Sequence, residues 1–310
     1  MPSSFSLQPY PREGTTLLAA HSLFPKQSPP LNEEEIIIAV TEAFSRALKN
    51  KVGKQYPVIS DTEGLVNLCI KHLKERNDPI FTPYFYSSCQ VDEIFELDSI
   101  SYEFQRQRMK IGVFYQYLII ELMRASSRKE NSNIESVFDG SREGDVVADM
   151  KTPNFDAGIR VYGSIKKSSD TVGGQDVPGV INRLESVAKS EKNLTRPYLC
   201  VFCYATPSGG KIKSYELSRS VKYNNEGHPF SPNCESWQPG FLFPFITGRL
   251  PEDIYHISMR KIGEYLPFYA YEKRKECSIL LKEKFIKLGL VGTDGKLDRT
   301  KFMEFLTENS

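Results

Sequence analysis

No stretch of this chain approaches the roughly 18 consecutive apolar residues that a membrane-crossing helix needs. Its best apolar runs, 111–120 and 241–246, are short and interrupted. The first twelve residues lack a basic region followed by an apolar core, so no secretory signal is expected and the chain reads as soluble and cytoplasmic. A disulfide framework is missing too: six cysteines at 69, 89, 200, 203, 234 and 277 are scattered, as a reducing compartment permits. Histidine is scarce, with four residues far apart and no H-E-x-x-H, which argues against a zinc protease or a histidine-based hydrolase. Gly158-x-x-x-x-Gly163 is followed by Ser164 where a phosphate loop needs lysine, which removes a nucleotide-triphosphate site. The net charge is only +1, so no global field draws polyanions. No repeat of 20 to 50 residues is visible.

What remains is a globular composition, 40% hydrophobic and 25% charged over 310 residues, enough for one large domain or two modest ones. Residues 1–31 are rich in Pro and Ser and read as an arm. Residues 32–130 read as a helical region. Asn32 caps a run of three glutamates, and Ile36, Val40, Ala43, Phe44 and Ala47 follow at helical spacing. Ser60 to Glu63 forms a capping box opening a second helix to about Arg76. Residues 78–86 carry paired prolines among aromatics and read as a loop or short extended segment, whereas residues 92–126 regain helical spacing. The core, 131–270, holds a hairpin, a helix over 177–190, a strand over 198–205 and its hairpin partner over 211–217. Residues 224–253, with the only tryptophan, Trp237, lack periodicity and read as a recognition loop. Residues 271–310 supply C-terminal helices. The expected fold is therefore mixed α/β of the α+β kind, a mixed central sheet flanked by helices.

The richest stretch is 144–176. Residues 145–150 and 159–166 have strand composition, and the segment between them contains the turn formers Pro153, Asn154, Asp156 and Gly158. A turn centred between Asn154 and Phe155 sets Asp145 opposite Ser164, with Cβ atoms about 5 Å apart, and Asp149 near Arg160. Lys166, two residues beyond Ser164, shares that face because side chains alternate with period two. A metal held by Asp145 would also lie close to the Ile165 carbonyl. Asp149 and Asp156 are rival acids, one mid-strand and one at the hairpin tip. As a plain alternative, an acid and a lysine at one end of a ribbon form an exposed cross-strand pair. Residues 160–227 hold eleven Lys and Arg against six acids, a local excess that suits a phosphate-gripping cleft.

Gly144-Asp145 and Ser164-Ile165-Lys166 resemble the PD-(D/E)XK nuclease superfamily, in which an acid on one strand and an acid-x-lysine on the next bind magnesium. Serine stands where the second acid is usual, a variant found among type II restriction endonucleases. The run Ser164 to Asp176, with Gly173-Gly174-Gln175 inside it, is similar to the segment after the lysine in those cutting GC-rich interrupted palindromes. This likeness covers residues 79–205 and, loosely, the C-terminal helices. It implies a magnesium-dependent, site-specific endonuclease acting on double-stranded DNA, part of a restriction-modification system. Asp145 and the Ile165 carbonyl would hold Mg2+, Ser164 would complete the shell, and Lys166 would orient water at the phosphate. Lys167, Gln175 and Asp176 would touch DNA. A palindromic target implies a homodimer through the N-terminal helices. Because Ser164 is a poor magnesium ligand, a second carboxylate is expected from Glu121 or Glu185. A non-catalytic DNA-binding module and an interaction protein using its aromatic loops are the other readings. Cys200-x-x-Cys203 lies in an apolar strand pattern with no second pair, so zinc is not expected.

Overall fold

A computed structural model describes residues 26–49, 59–75, 81–152, 155–167, 176–191, 198–206, 234–266 and 268–307. Along the chain run α1 (Glu33–Lys49), α2 (Thr62–Glu75), α3 (Phe81–Tyr86) and, after short 3-10 and π turns, α4 (Ser101–Ser127). Then come β1 (Ile134–Asp139), β2 (Asp145–Thr152), β3 (Phe155–Lys166), α5 (Asp176–Ser190), β4 (Tyr198–Tyr204) and β5 (Cys234–Trp237). Five helices complete the chain: α6 (Pro239–Thr247), α7 (Pro251–Tyr265), α8 (Tyr269–Glu272), α9 (Arg274–Lys287) and α10 (Arg299–Thr307). The chain divides into two compact units, Met1–Asn50 with Lys110–Tyr265, and Lys51–Met109 with Leu266–Ser310. Residues 32–130, read from sequence as one helical region, thus contribute to both.

The first unit is a mixed α/β structure around a sheet of order β1-β2-β3-β4-β5. The first three strands are antiparallel, and β3, β4 and β5 run parallel. The connection from β3 to β4 passes through α5, as a parallel pair requires. One pleat face carries Val146, Ala148, Met150, Ile159, Val161 and Ile165, all buried. The other is covered by α5, whose Leu184 and Ala188 pack on Tyr162, Tyr198 and Cys200. At the N-terminus of α1 the Asn32 side chain accepts from the Glu35 N–H at 2.9 Å, and Glu35 accepts from the Asn32 N–H at 2.7 Å. Asn32 is the cap that the sequence led one to expect, and the return bond from Glu35 makes it reciprocal.

Three local expectations are corrected. Residues 81–86 are helical, because Pro83 falls in the first turn, where an N–H has no partner to lose. The cap of α2 is Asp61, accepting from the Gly64 N–H at 2.7 Å, rather than Ser60. Much of the stretch read as a recognition loop is core. Every residue of α6 is buried, and Trp237 is fully buried with its ring centroid 5.4 Å from Phe241 and 5.5 Å from Phe245. A helix enclosed on all sides has no polar face, so it shows no period to read. Residues 207–233, including the expected partner strand at 211–217, lie outside the described residues.

The second unit packs α2, α3, α9 and α10 around Phe95, Leu281, Phe285 and Phe302. Short antiparallel bridges, Gln90 with Lys296 and Val291 with Leu297, fix the turn before α10.

Cys203 lies in the middle of the sheet, fully buried, and burial pushes its thiol up to about 12. Native protein treated with a thiol reagent at pH 8 should be modified at half-buried Cys89 well before Cys203, read by peptide mass spectrometry. Equal labelling of the two would mean that β4 is open to solvent.

Candidate active site

The β2–β3 hairpin pairs Asp145 with Ser164, Val147 with Tyr162 and Asp149 with Arg160, the register expected from the alternation. Residues 153–154 at its tip, and the side chain of Asp156, lie outside the described residues. Asp145 and Ser164 are both buried, at 3% and 1% exposure. Lys166 closes β3 on the same face, half-buried, and Lys167 follows it. Gly144 precedes Asp145 with φ +76, a left-handed conformation that suits glycine. Its carbonyl accepts from the Ile165 N–H at 2.6 Å, which fixes the Ile165 backbone beside the start of β2. The Lys166 carbonyl accepts from Ala205 N–H at 3.0 Å, and the Lys167 carbonyl from Thr206 N–H at 2.7 Å. Tyr255 on α7 donates to the Ala205 carbonyl at 2.7 Å. The acid and the lysines thus sit at one sheet end, where β3 and β4 present their carboxyl termini, the usual ligand side of parallel strands.

Sequence reading missed the partner of Asp145. Arg183, on α5, donates Nη1 to Asp145 Oδ2 and Nη2 to Oδ1, the second at 3.1 Å, a two-pronged ion pair. The signal was available: Arg183 lies three residues from Val180 and four from Val187, on the apolar stripe of its helix. A guanidinium on a buried stripe requires an acid opposite.

The rival acid is committed elsewhere. Asp149 accepts from Arg160 Nε at 2.7 Å and Nη2 at 2.9 Å, and from the Ser136 hydroxyl at 2.8 Å. Arg160 also reaches Glu191, which accepts from the Tyr162 hydroxyl. Hydrogen bonding to Asp149 holds the Arg160 guanidinium above its ordinary pKa, and burial, then Glu191, raises the Tyr162 hydroxyl. The two candidates for a second carboxylate are not brought to Asp145. Glu121 pairs with Arg46 and, at 2.7 Å, with Arg124, and both arginines also hold Asp139. Asp139 is paired with Val146, whose side chain faces away from that of Asp145. Glu185 lies about 200° around α5 from Arg183 and meets Lys189 at 3.5 Å. Asp176 opens α5, and Gln175 lies outside the described residues.

The donor set can be weighed against the magnesium that the resemblance implies. A hard divalent ion wants several oxygens and more than one negative charge. Here it would meet the Ser164 hydroxyl, the Ile165 carbonyl that the resemblance implies and one carboxylate, both of whose oxygens already receive the Arg183 fork. Among the described residues no group of three His, Cys, Asp or Glu side chains could hold a metal. As arranged, the residues do not fit a resident magnesium ion. They do fit a corner in which Lys166, on the face of Asp145, and a partly exposed guanidinium meet incoming anionic oxygens. No family model matches the chain, and no curated protein is similar to it.

Asp149→Ala should leave Arg160 partly buried against Glu191 alone and lower the unfolding free energy by on the order of 3 kcal/mol. Urea denaturation monitored by circular dichroism measures this. A loss below about 0.5 kcal/mol would assign the pair to the weak, solvent-screened class.

Proposed function

We propose that this protein is a site-specific endonuclease of the type II restriction kind, acting on phosphodiester bonds of double-stranded DNA, with its scissile phosphate at the Asp145, Ser164 and Lys166 corner. The observation that carries the reading is the register pairing Asp145 with Ser164, which puts the acid and the lysine on one pleat face at one end of a mixed sheet. That is the arrangement the resemblance calls for.

In this reading Lys166 holds a non-bridging phosphate oxygen and offsets the charge that builds there during hydrolysis. Its backbone is braced by β4, so the ammonium is presented from a rigid support. The Ser164 hydroxyl supplies a neutral hydrogen bond beside it. Lys167 follows at the end of β3, and the proposal gives Lys167, Gln175 and Asp176 the contacts with the DNA backbone or bases. Magnesium dependence is part of the proposal, but the ion would have to take Asp145 from Arg183, so no step is assigned to it. A homodimer reading a palindrome also belongs to the proposal.

A second reading, a DNA-binding module without catalysis, is favoured by that same Asp145–Arg183 pair, which occupies both oxygens of Asp145 with a guanidinium. Incubation of supercoiled plasmid with the protein and magnesium separates the two. The endonuclease reading expects discrete fragments, abolished by EDTA and reduced about 100-fold or more in Lys166→Ala, which should still retard DNA. Retarded but intact plasmid would transfer the assignment to the binding module. Neither cleavage nor retardation would overturn both.

A further inference from the structure

We propose that Arg142, on the tight turn between β1 and β2, is a phosphate-binding residue that grips the backbone of a DNA duplex beside the corner of Asp145, Ser164 and Lys166. The proposal rests on the reading of that corner as a DNA site.

The turn is built into the same sheet end. β1 closes with Asp139 paired to Val146, and β2 begins at Asp145 opposite Ser164, so residues 140–144 lie next to the terminus of β3. Two backbone bonds tie the turn to the acid: the Gly140 N–H donates to the Asp145 carbonyl at 2.9 Å, and the Asp145 N–H donates to the Arg142 carbonyl at 3.0 Å. Close approach requires glycine at both ends. A Cβ on Gly140 would lie 2.8 Å from the Asp145 carbonyl carbon, and one on Gly144, at φ +76, would lie 2.8 Å from Gln116 Cδ on α4. So tight a turn fixes the position of Arg142 relative to Asp145.

The side chain held there is a cation with no internal use. Arg142 is exposed, and its guanidinium has no partner among the described residues, whereas Arg46, Arg124, Arg160 and Arg183 of the same unit each hold a carboxylate. The nearby acids do not claim it. Glu143 is half-buried, and burial raises its carboxyl above the ordinary value; the oxygens of Asp139 receive Arg46 and Arg124. Lys166 and Arg142 stand at neighbouring strand ends, one to two spacings of about 4.8 Å apart, and a duplex strand carries a phosphate about every 3.4 Å along its axis. A guanidinium and an ammonium so placed meet phosphates of one strand, and the fork of the first suits two oxygens of a single phosphate. The major groove is about 8.5 Å deep, more than so short a turn projects beyond the sheet, so the guanidinium meets backbone oxygens before base edges.

Fluorescence anisotropy of labelled mixed-sequence duplexes with the full-length protein, in EDTA so that nothing is cut, tests this. Arg142→Ala should weaken binding about 5-fold or more at ~50 mM salt and make the slope of log affinity against log salt shallower by about 1. Arg142→Lys keeps the charge and should keep the wild-type slope. Arg128 is exposed too, but it precedes β1 and so adjoins the opposite sheet end. Arg128→Ala removes the same charge and should change affinity less than about 2-fold. No loss in Arg142→Ala, or an equal loss in Arg128→Ala, overturns the proposal. A loss confined to one duplex sequence with the slope unchanged overturns the phosphate assignment in favour of a base contact. The substitution leaves both glycines and both backbone bonds in place, thermal unfolding followed by circular dichroism verifies the fold, and Arg142→Gln repeats the measurement with an uncharged side chain that retains bulk. Duplex held through Arg142 while plasmid is never cut with magnesium would remove the endonuclease reading alone; plasmid cut by the wild type, with Arg142→Ala binding and cutting like it, would remove this proposal alone. A wild type that binds no duplex would remove both.

Discussion

The period-two alternation of the β2–β3 hairpin governs almost everything else in the first unit. Its apolar set, Val146, Ala148 and Met150 with Ile159, Val161 and Ile165, lies on one side and is removed from water. A slip of one residue would turn that entire set outward and carry Asp145 and Asp149 into an apolar layer, so the register is strongly specified. Because the same alternation that buries the aliphatic residues sets the positions of the acids, fold and site share one determinant. Gly163 shows how close the fit is: a Cβ there would lie 2.8 Å from Val146 Cγ1 across the hairpin.

The polar face obeys a second rule. Asp145 and Asp149, both nearly buried, each receive a bidentate arginine, one from α5 and one from across the hairpin. Two carboxylates on one pleat face without these partners would face a desolvation cost of several kcal/mol each. Ion pairing with Arg160 therefore helps to hold β3 against β2, and ion pairing with Arg183 helps to hold α5 over the sheet. The Arg46, Glu121, Arg124 and Asp139 cluster repeats the pattern between α1, α4 and the end of β1.

How much of this was legible in the sequence depended on how local each signal was. The hairpin register could be read because its period and turn residues lie within some twenty positions, and the α1 cap because Asn32 directly precedes its run of glutamates. The long α4 and the α5 helix were visible through their one-sided apolar spacing. What escaped was either uniform or distant. The all-buried α6 has no polar side to mark its period, and Trp237 was assigned to a loop because a four-residue strand leaves too short an alternation to detect. The Arg183 partnership joins positions 38 apart in sequence, and only the packing of α5 on the sheet decides which acid the guanidinium meets. Glu121 and Glu185 failed as second acids for the same reason: their helices were recognised, but the direction of each carboxylate depends on rotation about the helix axis.

Ser164 takes on a different meaning once its neighbour across the hairpin is known to be fully neutralised. The Asp145–Arg183 pair is close to electroneutral, one carboxylate to one guanidinium, and the Ser164 hydroxyl opposite adds no charge to it. An acid in place of that hydroxyl would put a second negative charge about 5 Å from the first, and the two would compete for a single fork, so one of them would take up a proton. The small neutral side chain on β3 and the arginine on α5 are consequently one choice rather than two, and either can be exchanged for a charged alternative only if the other changes with it.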